Sequence, residues 1–286
     1  MGGGSFSSTS YVTRNVKSGT YSKSVDEIFD SREINNAMHP RGIQVRESRD
    51  SAEHPESLAI IVALDVTGSM GSIPHYLVKD GLVRMMEKII GKGIQHPQVL
   101  FLGIGDHECD RSPLQVGQFE SSDELLEKWL KTVYLEGGGG SNGGESYHLA
   151  WYFAAYHTAI DCWEKRNRKG YLFTIGDEPV LPMLPKRTLM SLMGDGQYED
   201  FTATRLYEEA CKKYHTYHVH VKETRSGSRI AVLNGWKQLL WDNFLTVERH
   251  EEIADLIASK ITPLQEVISQ KNQETQSQET PEEMML

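Results

Sequence analysis

The chain contains 286 residues, of which 24% are charged, and its formal net charge is −10. This acidic balance excludes a sequence-independent nucleic-acid binder, because such proteins need clustered Lys and Arg to displace counterions from phosphates. The longest apolar segment, residues 58–64, is far shorter than the roughly 20 residues that span a bilayer, so we expect no membrane helix and no membrane partner.

The N-terminal sequence and the cysteines indicate the compartment. No apolar segment typical of a secretory signal follows the first methionine. Cys109, Cys162 and Cys211 are widely spaced and form no CxxC pair, which argues against both a disulfide scaffold and a zinc ribbon. We therefore expect a reduced, cytoplasmic protein.

Four regions follow one another along the chain. Residues 1–24 are rich in Ser, Thr and Gly, and their weak apolar periodicity predicts a disordered arm. Residues 25–56 are polar and charged and predict an irregular extension with one short helical turn. Residues 57–262 alternate apolar and amphipathic segments and form the main domain. The Gln-, Glu- and Ser-rich residues 263–286 predict a disordered polar tail.

Strands and helices alternate through the main domain. Apolar runs predict strands at 58–65, 99–105, 171–176 and 214–221, and a short edge strand, antiparallel to its neighbour, at 113–119. Amphipathic patterns predict helices at 73–90, 121–134, 145–165 and 201–214, and residues 236–261 read as helix, strand and helix. This alternation predicts a three-layer, Rossmann-like α/β fold with a mostly parallel central sheet and helices on both faces.

Three aspartates follow predicted strands, at the sheet edge where open α/β folds bind ligands: Asp65, Asp106 and Asp177. Asp65 is followed at alternate positions by Thr67 and Ser69, on one tight loop that enters a helix. A carboxylate and two hydroxyls on one loop form a set of hard oxygen ligands, which suits Mg²⁺ or Mn²⁺. The alternative is that Thr67 or Ser69 caps the following helix.

The D-x-T-x-S loop, a glycine-rich loop before a large helix and an aspartate after the next strand together resemble the von Willebrand factor A (vWA) family, over about residues 58–261. In that family these loops form a metal-ion-dependent adhesion site (MIDAS). The resemblance implies that Asp65, Thr67 and Ser69 supply the first loop of ligands and Asp177 the third. This chain has Glu178 where the family usually has Gly.

The second loop of such a site is less closely matched. Aligning GGGGSNGGES on Glu145 places Asn142 where the family has Asp, with Ser141 as the neighbouring oxygen donor. The resemblance thus implies Asn142 or Ser141 as a further ligand, direct or through water.

Three other acids lie close to these loops. Asp106, in the run GIGDHECD, is either an aspartate in a solvated turn or an acceptor that orients a metal-bound water. Glu145 and Glu178 flank the second and third loops and are candidates for the same orienting role or for contacts with a partner. Glu145 also argues against a phosphate site at the glycine loop, which lacks the Walker Gly-Lys pair.

The resemblance implies a Mg²⁺-dependent interaction module, in which a Glu or Asp of a partner protein completes the coordination of the ion, and no enzymatic activity. Cytosolic bacterial and phage members of the family serve as adaptors, for example beside AAA+ ATPases, and we expect a similar role. One alternative is a Mg²⁺-dependent phosphohydrolase with Asp65 as nucleophile, although Thr67 stands where such enzymes carry their general acid. Another is an α/β domain without metal. The extension before residue 57 could itself supply a carboxylate to the site.

Overall fold

The computed structural model describes residues 4–137 and 143–263. Within these ranges the strands are β1 (Arg46–Ser48), β2 (Leu58–Asp65), β3 (Pro97–Ile104), β4 (Leu114–Val116), β5 (Thr158–Ile160), β6 (Gly170–Gly176), β7 (Met183–Leu184), β8 (Phe201–Thr202), β9 (Tyr214–Val221) and β10 (Phe244–Val247). The helices are α1 (Ser8–Lys17), α2 (Val25–Ile28), α3 (Ile73–Tyr76), α4 (Leu82–Gly91), α5 (Asp123–Thr132), α6 (His148–Tyr156), α7 (Asp161–Glu164), α8 (Lys186–Met193), α9 (Ala203–Lys213), α10 (Ile230–Leu240) and α11 (Ile253–Lys260). The predicted tail, apart from Pro263, lies outside the described residues.

The central sheet has six strands in the order β10-β9-β6-β2-β3-β4. All neighbours are parallel except β4, which pairs antiparallel with β3 at the edge. Every residue of β2, β3 and β6 is buried, as expected when helices cover both faces of a parallel sheet. The structure confirms the predicted three-layer, Rossmann-like α/β fold with its antiparallel edge strand.

The prediction of a disordered arm over residues 1–24 was wrong for the described part, residues 4–24. The Ser7 hydroxyl caps α1 by accepting a hydrogen bond from the Ser10 amide. Tyr11 is fully buried in the main core, and its hydroxyl donates to the Val78 carbonyl. Arg14 forms ion pairs with two buried acids of α5, Asp123 and Glu127, at 2.7 and 2.6 Å. Asn15 is also buried and accepts a hydrogen bond from Lys131 of α5. One aromatic residue and two polar side chains attach the helix, so its buried side creates no apolar periodicity.

The extension over residues 25–56 is mostly irregular, but it contributes more than one helical turn. Besides α2 it contains a 3₁₀ turn at Asn36–Met38 and the strand β1, which pairs with β5 in parallel. Next to β1, Arg49 forms an ion pair with buried Asp161 at 2.8 Å. The extension is therefore fixed to the main domain by both a strand pairing and an ion pair.

Two predicted helices are divided in the structure. The helix expected over 145–165 consists of α6, β5 and α7, because the intervening residues pair with β1, more than a hundred positions earlier in the chain. The helix expected over 73–90 contains a π-helical turn, Leu77–Gly81, between α3 and α4. A Cβ atom at Gly81 would lie 2.9 Å from side-chain atoms of Tyr76 and Leu77, so a larger residue would require these side chains to shift.

In the described part of the chain, no helix combines the length and the apolar character that a membrane crossing requires.

Candidate metal centre

The loop after β2 folds back onto the aspartate that precedes it. Asp65 Oδ1 accepts hydrogen bonds from the Thr67 amide at 2.9 Å and from the Thr67 hydroxyl at 2.6 Å. The hydroxyl oxygens of Thr67 and Ser69 lie 3.3 Å apart. Neither hydroxyl makes a capping hydrogen bond to the short helical turn that begins here or to α3, which argues against the capping alternative.

Asp177 joins this loop from the neighbouring strand. It directly follows β6, which pairs with β2, and its Oδ1 accepts a hydrogen bond from the Ser69 hydroxyl at 2.8 Å. Its other oxygen, Oδ2, is buried and has no hydrogen-bond partner among the described residues. The structure thus brings together the four predicted ligands Asp65, Thr67, Ser69 and Asp177. The predicted second-loop ligands Ser141 and Asn142 lie outside the described residues.

Tyr147 is a component of the site that the sequence analysis did not single out. It is fully buried, and its hydroxyl donates to Asp65 Oδ2 at 2.7 Å. Burial raises the pKa of Tyr147 well above its usual value, so the hydroxyl keeps its proton and remains a donor. A Cβ atom at Gly176 would lie only 1.9 Å from the Tyr147 hydroxyl oxygen. The tyrosine reaches Asp65 because β6 ends in glycine.

Asp106 lies in the same buried edge but makes its own local turn. Its Oδ1 accepts a hydrogen bond from the Glu108 amide at 2.8 Å, and its amide donates to Asp110 Oδ2 at 2.7 Å. The side chain is fully buried, so the interpretation as a solvated turn was wrong. Asp106 Oδ2 lacks a hydrogen-bond partner within the described ranges, which leaves one carboxylate oxygen available to orient a water or an ion.

Glu145 and Glu178 complete the acidic surroundings. Glu145 is 4% exposed, and its backbone bonds to Pro179 and Leu181 hold it beside the third loop. Its Oε2 has no partner in the part of the chain that the structure describes. Glu178 Oε1 accepts a hydrogen bond from Arg229 at 2.7 Å, whereas its Oε2, like Glu145 Oε2, is buried without a partner among the described residues. The structure therefore places Glu145 as a buried acid and Glu178 as an ion-paired one.

Burial makes two of the acids at this site, Asp65 and Glu145, hard to ionise. It raises the pKa of Asp65 to about 7, against the opposing effect of hydrogen bonds from Thr67 and Tyr147. It also raises the pKa of Glu145 to about 10, with a further contribution from the negative charge of Asp65. Gathering carboxylates in a buried site without a nearby cation is unfavourable, and a bound divalent ion removes that cost.

The available donor atoms fit a small hard cation. Asp65 and Asp177 offer carboxylate oxygens, Thr67 and Ser69 offer hydroxyl oxygens, and one buried oxygen of Asp177 has no other use among the described residues. Oxygen-only donor sets of this kind suit Mg²⁺ or Mn²⁺ better than a soft metal.

The histidines near this edge belong to the core. His218 and His220 are buried, as expected for residues on a covered sheet face. The His218 ring stacks on Trp236 with centroids 3.7 Å apart, and His220 Nε2 donates to the Gly227 carbonyl at 2.9 Å. His107 lies against Ser146, with Nδ1 2.8 Å from the hydroxyl oxygen. These contacts support structural roles.

No protein family and no curated protein matches the sequence of this chain. Among solved structures, the pilus adhesin SpaC from Lactobacillus rhamnosus GG, in an open conformation, has a TM-score of 0.49 at 7% identity and covers 74% of this chain and 30% of its own. Proximal thread matrix protein 1 from the mussel byssus has a TM-score of 0.45 at 10% identity, over 70% of this chain and 46% of that protein. A second structure of the mussel protein, with a TM-score of 0.44, 10% identity and the same coverage, is described as having a zinc-occupied MIDAS motif. This chain spans less than half the length of these proteins.

Proposed function

We propose that this protein is a vWA-type interaction module that binds Mg²⁺ or Mn²⁺ through Asp65, Thr67, Ser69 and Asp177. The observation that carries the proposal is the continuous set of contacts among these side chains, which ends at a buried Asp177 oxygen without a partner among the described residues.

The ligand set leaves such an ion able to bind a further anion. Two carboxylates neutralise a divalent cation, while the hydroxyls are neutral, and an octahedral ion has positions left for water or an external oxygen. We propose Ser141 or Asn142 as an additional ligand from the second loop. A Glu or Asp side chain of a partner protein then completes the coordination by binding the ion directly, in spite of the net charge of −10.

A cleft next to the first loop offers room for the partner. Its volume is about 570 Å³, and Thr67 and Gly68 line one side. Asp26, Phe29 and Asp30 of the extension line another side. The extension therefore borders the site. The proposal that one of its carboxylates acts as an internal ligand is tested by Asp26→Asn and Asp30→Asn, which would leave metal and partner affinity unchanged if the idea is wrong.

For the biological setting we propose a cytoplasmic adaptor in a larger complex, for example with an AAA+ ATPase. This part rests on the resemblance to cytosolic bacterial and phage vWA proteins. The acidic charge of the chain supports a protein partner over a nucleic acid.

The phosphohydrolase alternative remains a prediction. Asp65, its nucleophile, accepts hydrogen bonds from the Thr67 amide, the Thr67 hydroxyl and the Tyr147 hydroxyl. Three donors on one carboxylate stabilise its negative charge and reduce its nucleophilicity, which favours a ligand role. A generic phosphoester assay of the Mg²⁺-loaded protein tests this alternative, and we expect no turnover.

The test of the main proposal is calorimetric titration of Mg²⁺ and Mn²⁺ into metal-stripped protein. We expect one-site binding that is lost in Asp65→Ala and Asp177→Ala and retained in Asp195→Ala, which removes an exposed aspartate outside the site. Binding by wild type that survives both site substitutions would contradict the assignment of the ligands. Wild-type protein that takes up neither ion, alone or with a carboxylate such as acetate, would contradict the metal-dependent function.

A further inference from the structure

Three side chains of types that ligate metals lie close together at the other end of the same sheet edge. Glu223 follows β9, and His250 and Glu251 follow β10, the strand that pairs with β9 in parallel. These residues are separated from Asp65 by β6 in the sheet order, so they form a cluster distinct from the first centre.

The ligand atoms of the cluster are close enough to share one ion. One atom from each of Glu223, His250 and Glu251 lies within 4.8 Å of the other two. His250 Nδ1 contacts Glu223 Oε1 and lies 3.7 Å from Glu251 Oε2. A tetrahedral ion with ligands at about 2.0–2.1 Å keeps its ligand atoms roughly 3.4 Å apart, so small side-chain movements suffice.

The histidine at the centre of the cluster is held in place. Its backbone amide donates to Glu223 Oε1 at 2.8 Å. Its ring packs edge-on against Tyr76 with centroids 5.1 Å apart, and the Tyr76 hydroxyl donates to the Glu251 carbonyl at 3.0 Å. These contacts reduce the loss of conformational freedom when a ligand binds.

His250 Nδ1 bonds to Glu223 Oε1, whereas Glu251 Oε2, 3.7 Å away, is beyond hydrogen-bond distance and is paired with Arg249. Metal binding therefore replaces the proton on Nδ1 and draws Glu251 into the cluster. A metal ion can bind the unprotonated nitrogen and both carboxylates together. The three side chains are also reachable from solvent, being 18% (His250), 32% (Glu223) and 40% (Glu251) exposed.

We propose that Glu223, His250 and Glu251 form a second metal site that prefers Zn²⁺ to Mg²⁺. The preference follows from the imidazole nitrogen, which zinc accepts readily, whereas Mg²⁺ prefers oxygen ligands and gives up its water reluctantly. This proposal is independent of the function proposed for the first centre.

Arg249 competes for one of the ligands. It donates to Glu251 Oε1 at 2.8 Å and to Oε2 at 3.2 Å, and this pairing holds the pKa of Glu251 at about 2. Zinc must therefore displace or share the guanidinium. Removing Arg249 should strengthen zinc binding, an effect opposite to that of general damage to the fold.

The test is Zn²⁺ titration against a chromogenic chelator, using the full chain with Asp65→Ala to disable the first centre. We expect one equivalent of Zn²⁺ to bind and millimolar Mg²⁺ to leave it in place. Adding His250→Ala should weaken binding at least about tenfold, because even residues that only orient metal ligands are worth about 10–100-fold. Adding Arg249→Ala should tighten it about threefold or more.

His215→Ala is the matched control, since it removes an exposed histidine at the opposite end of β9 and should not change zinc affinity. If His250→Ala unfolds the chain, Glu223→Gln provides the same test with a smaller change in shape. The proposal is overturned if the Asp65→Ala protein binds no Zn²⁺, because any zinc bound by wild type would then lie at the first centre. It is also overturned if His250→Ala or Glu223→Gln, added to Asp65→Ala, leaves the zinc affinity unchanged.

Discussion

Asp65 uses both of its carboxylate oxygens within the protein. Thr67 donates to Oδ1 through its amide and its hydroxyl, and Tyr147 donates to Oδ2 at 2.7 Å. The two sides of the carboxylate are thus held by different loops, which fixes its plane before an ion arrives. Residues that orient a metal ligand in this way contribute to affinity without touching the metal.

Tyr147→Phe should therefore weaken Mg²⁺ and Mn²⁺ binding about 10–100-fold while the fold is retained. The substitution keeps the ring and removes only the hydroxyl that orients Asp65. Calorimetric titration measures the affinity. Tyr214→Phe is the matched control, because it also removes a buried hydroxyl, one that bonds to Thr158 at 2.7 Å away from the site. Equal metal affinity in both variants and wild type would show that Tyr147 does not orient the ligand.

Part of this site can be predicted from sequence and part cannot. Asp65 and Asp177 each follow an apolar run, and parallel strands place their carboxyl ends at one edge, so their proximity follows from the pattern. Tyr147 carries no such signal. Its contact depends on the course of the loop before α6 and on the absence of a side chain at Gly176, and both are tertiary features.

At the scale of elements, α1 shows how few contacts attach an N-terminal helix. Tyr11 fills a position in the main core, and Arg14 reaches two acids of α5. On the exposed side, Val12 and Val16 are 40% and 63% exposed. A single buried ring therefore provides most of the apolar attachment of this helix.

Tyr11→Ala should lower the free energy of unfolding by about 3–5 kcal/mol, because it empties a fully buried aromatic position and leaves the Val78 carbonyl without its donor. Urea unfolding monitored by circular dichroism measures the loss. Val12→Ala on the exposed face is the control and should stay within about 0.5 kcal/mol of wild type. Similar stabilities for the two variants would mean that α1 does not contribute to the core.

The short strand β5, which pairs with a segment far away in the chain, was not predicted from the sequence. β5 is three residues long, and its flanks have helical patterns, so its strand conformation depends on pairing with β1. Most strands of the central sheet were predictable because they are apolar runs beside strands of the same kind, whereas β9 was predictable from its aromatic and β-branched residues. The π-helical turn after α3 is likewise set by packing around Gly81.

At the scale of the whole molecule, buried histidines connect stability to pH. Burial lowers the pKa of each of four histidines near the carboxyl edge of the sheet: His107, His148, His218 and His220. For His148 the pKa falls to about 4, and its Nε2 donates to the Met183 carbonyl at 3.1 Å. Each of these groups accepts a proton more readily in the unfolded chain, so each destabilises the fold in acid.

We expect His148→Gln to change the pH dependence of unfolding in a defined direction. In the folded protein His148 gains a proton only below about pH 4, whereas in the unfolded chain it gains one below about pH 6.5. The stability of the fold therefore decreases as the pH is lowered from about 6.5 to about 4. Lowering the pH from 7.5 to 5 should reduce the free energy of unfolding of wild type by about 2 kcal/mol more than that of the variant. Urea unfolding of both proteins at the two pH values measures this. A difference that does not change with pH would contradict the lowered pKa.

The order of the strands also determines when the proposed metal centre can be assembled during synthesis. The sheet begins with β2 at its middle; β3 and β4 add on one side, and β6, β9 and β10 then add in turn on the other. Ser69 meets Asp177 only after β6 has paired with β2. A nascent chain that ends before residue 177 therefore carries the first loop without its second carboxylate. All four proposed ligands are present only after more than half of the protein has been translated. Formation of the first part of the sheet therefore precedes completion of the site.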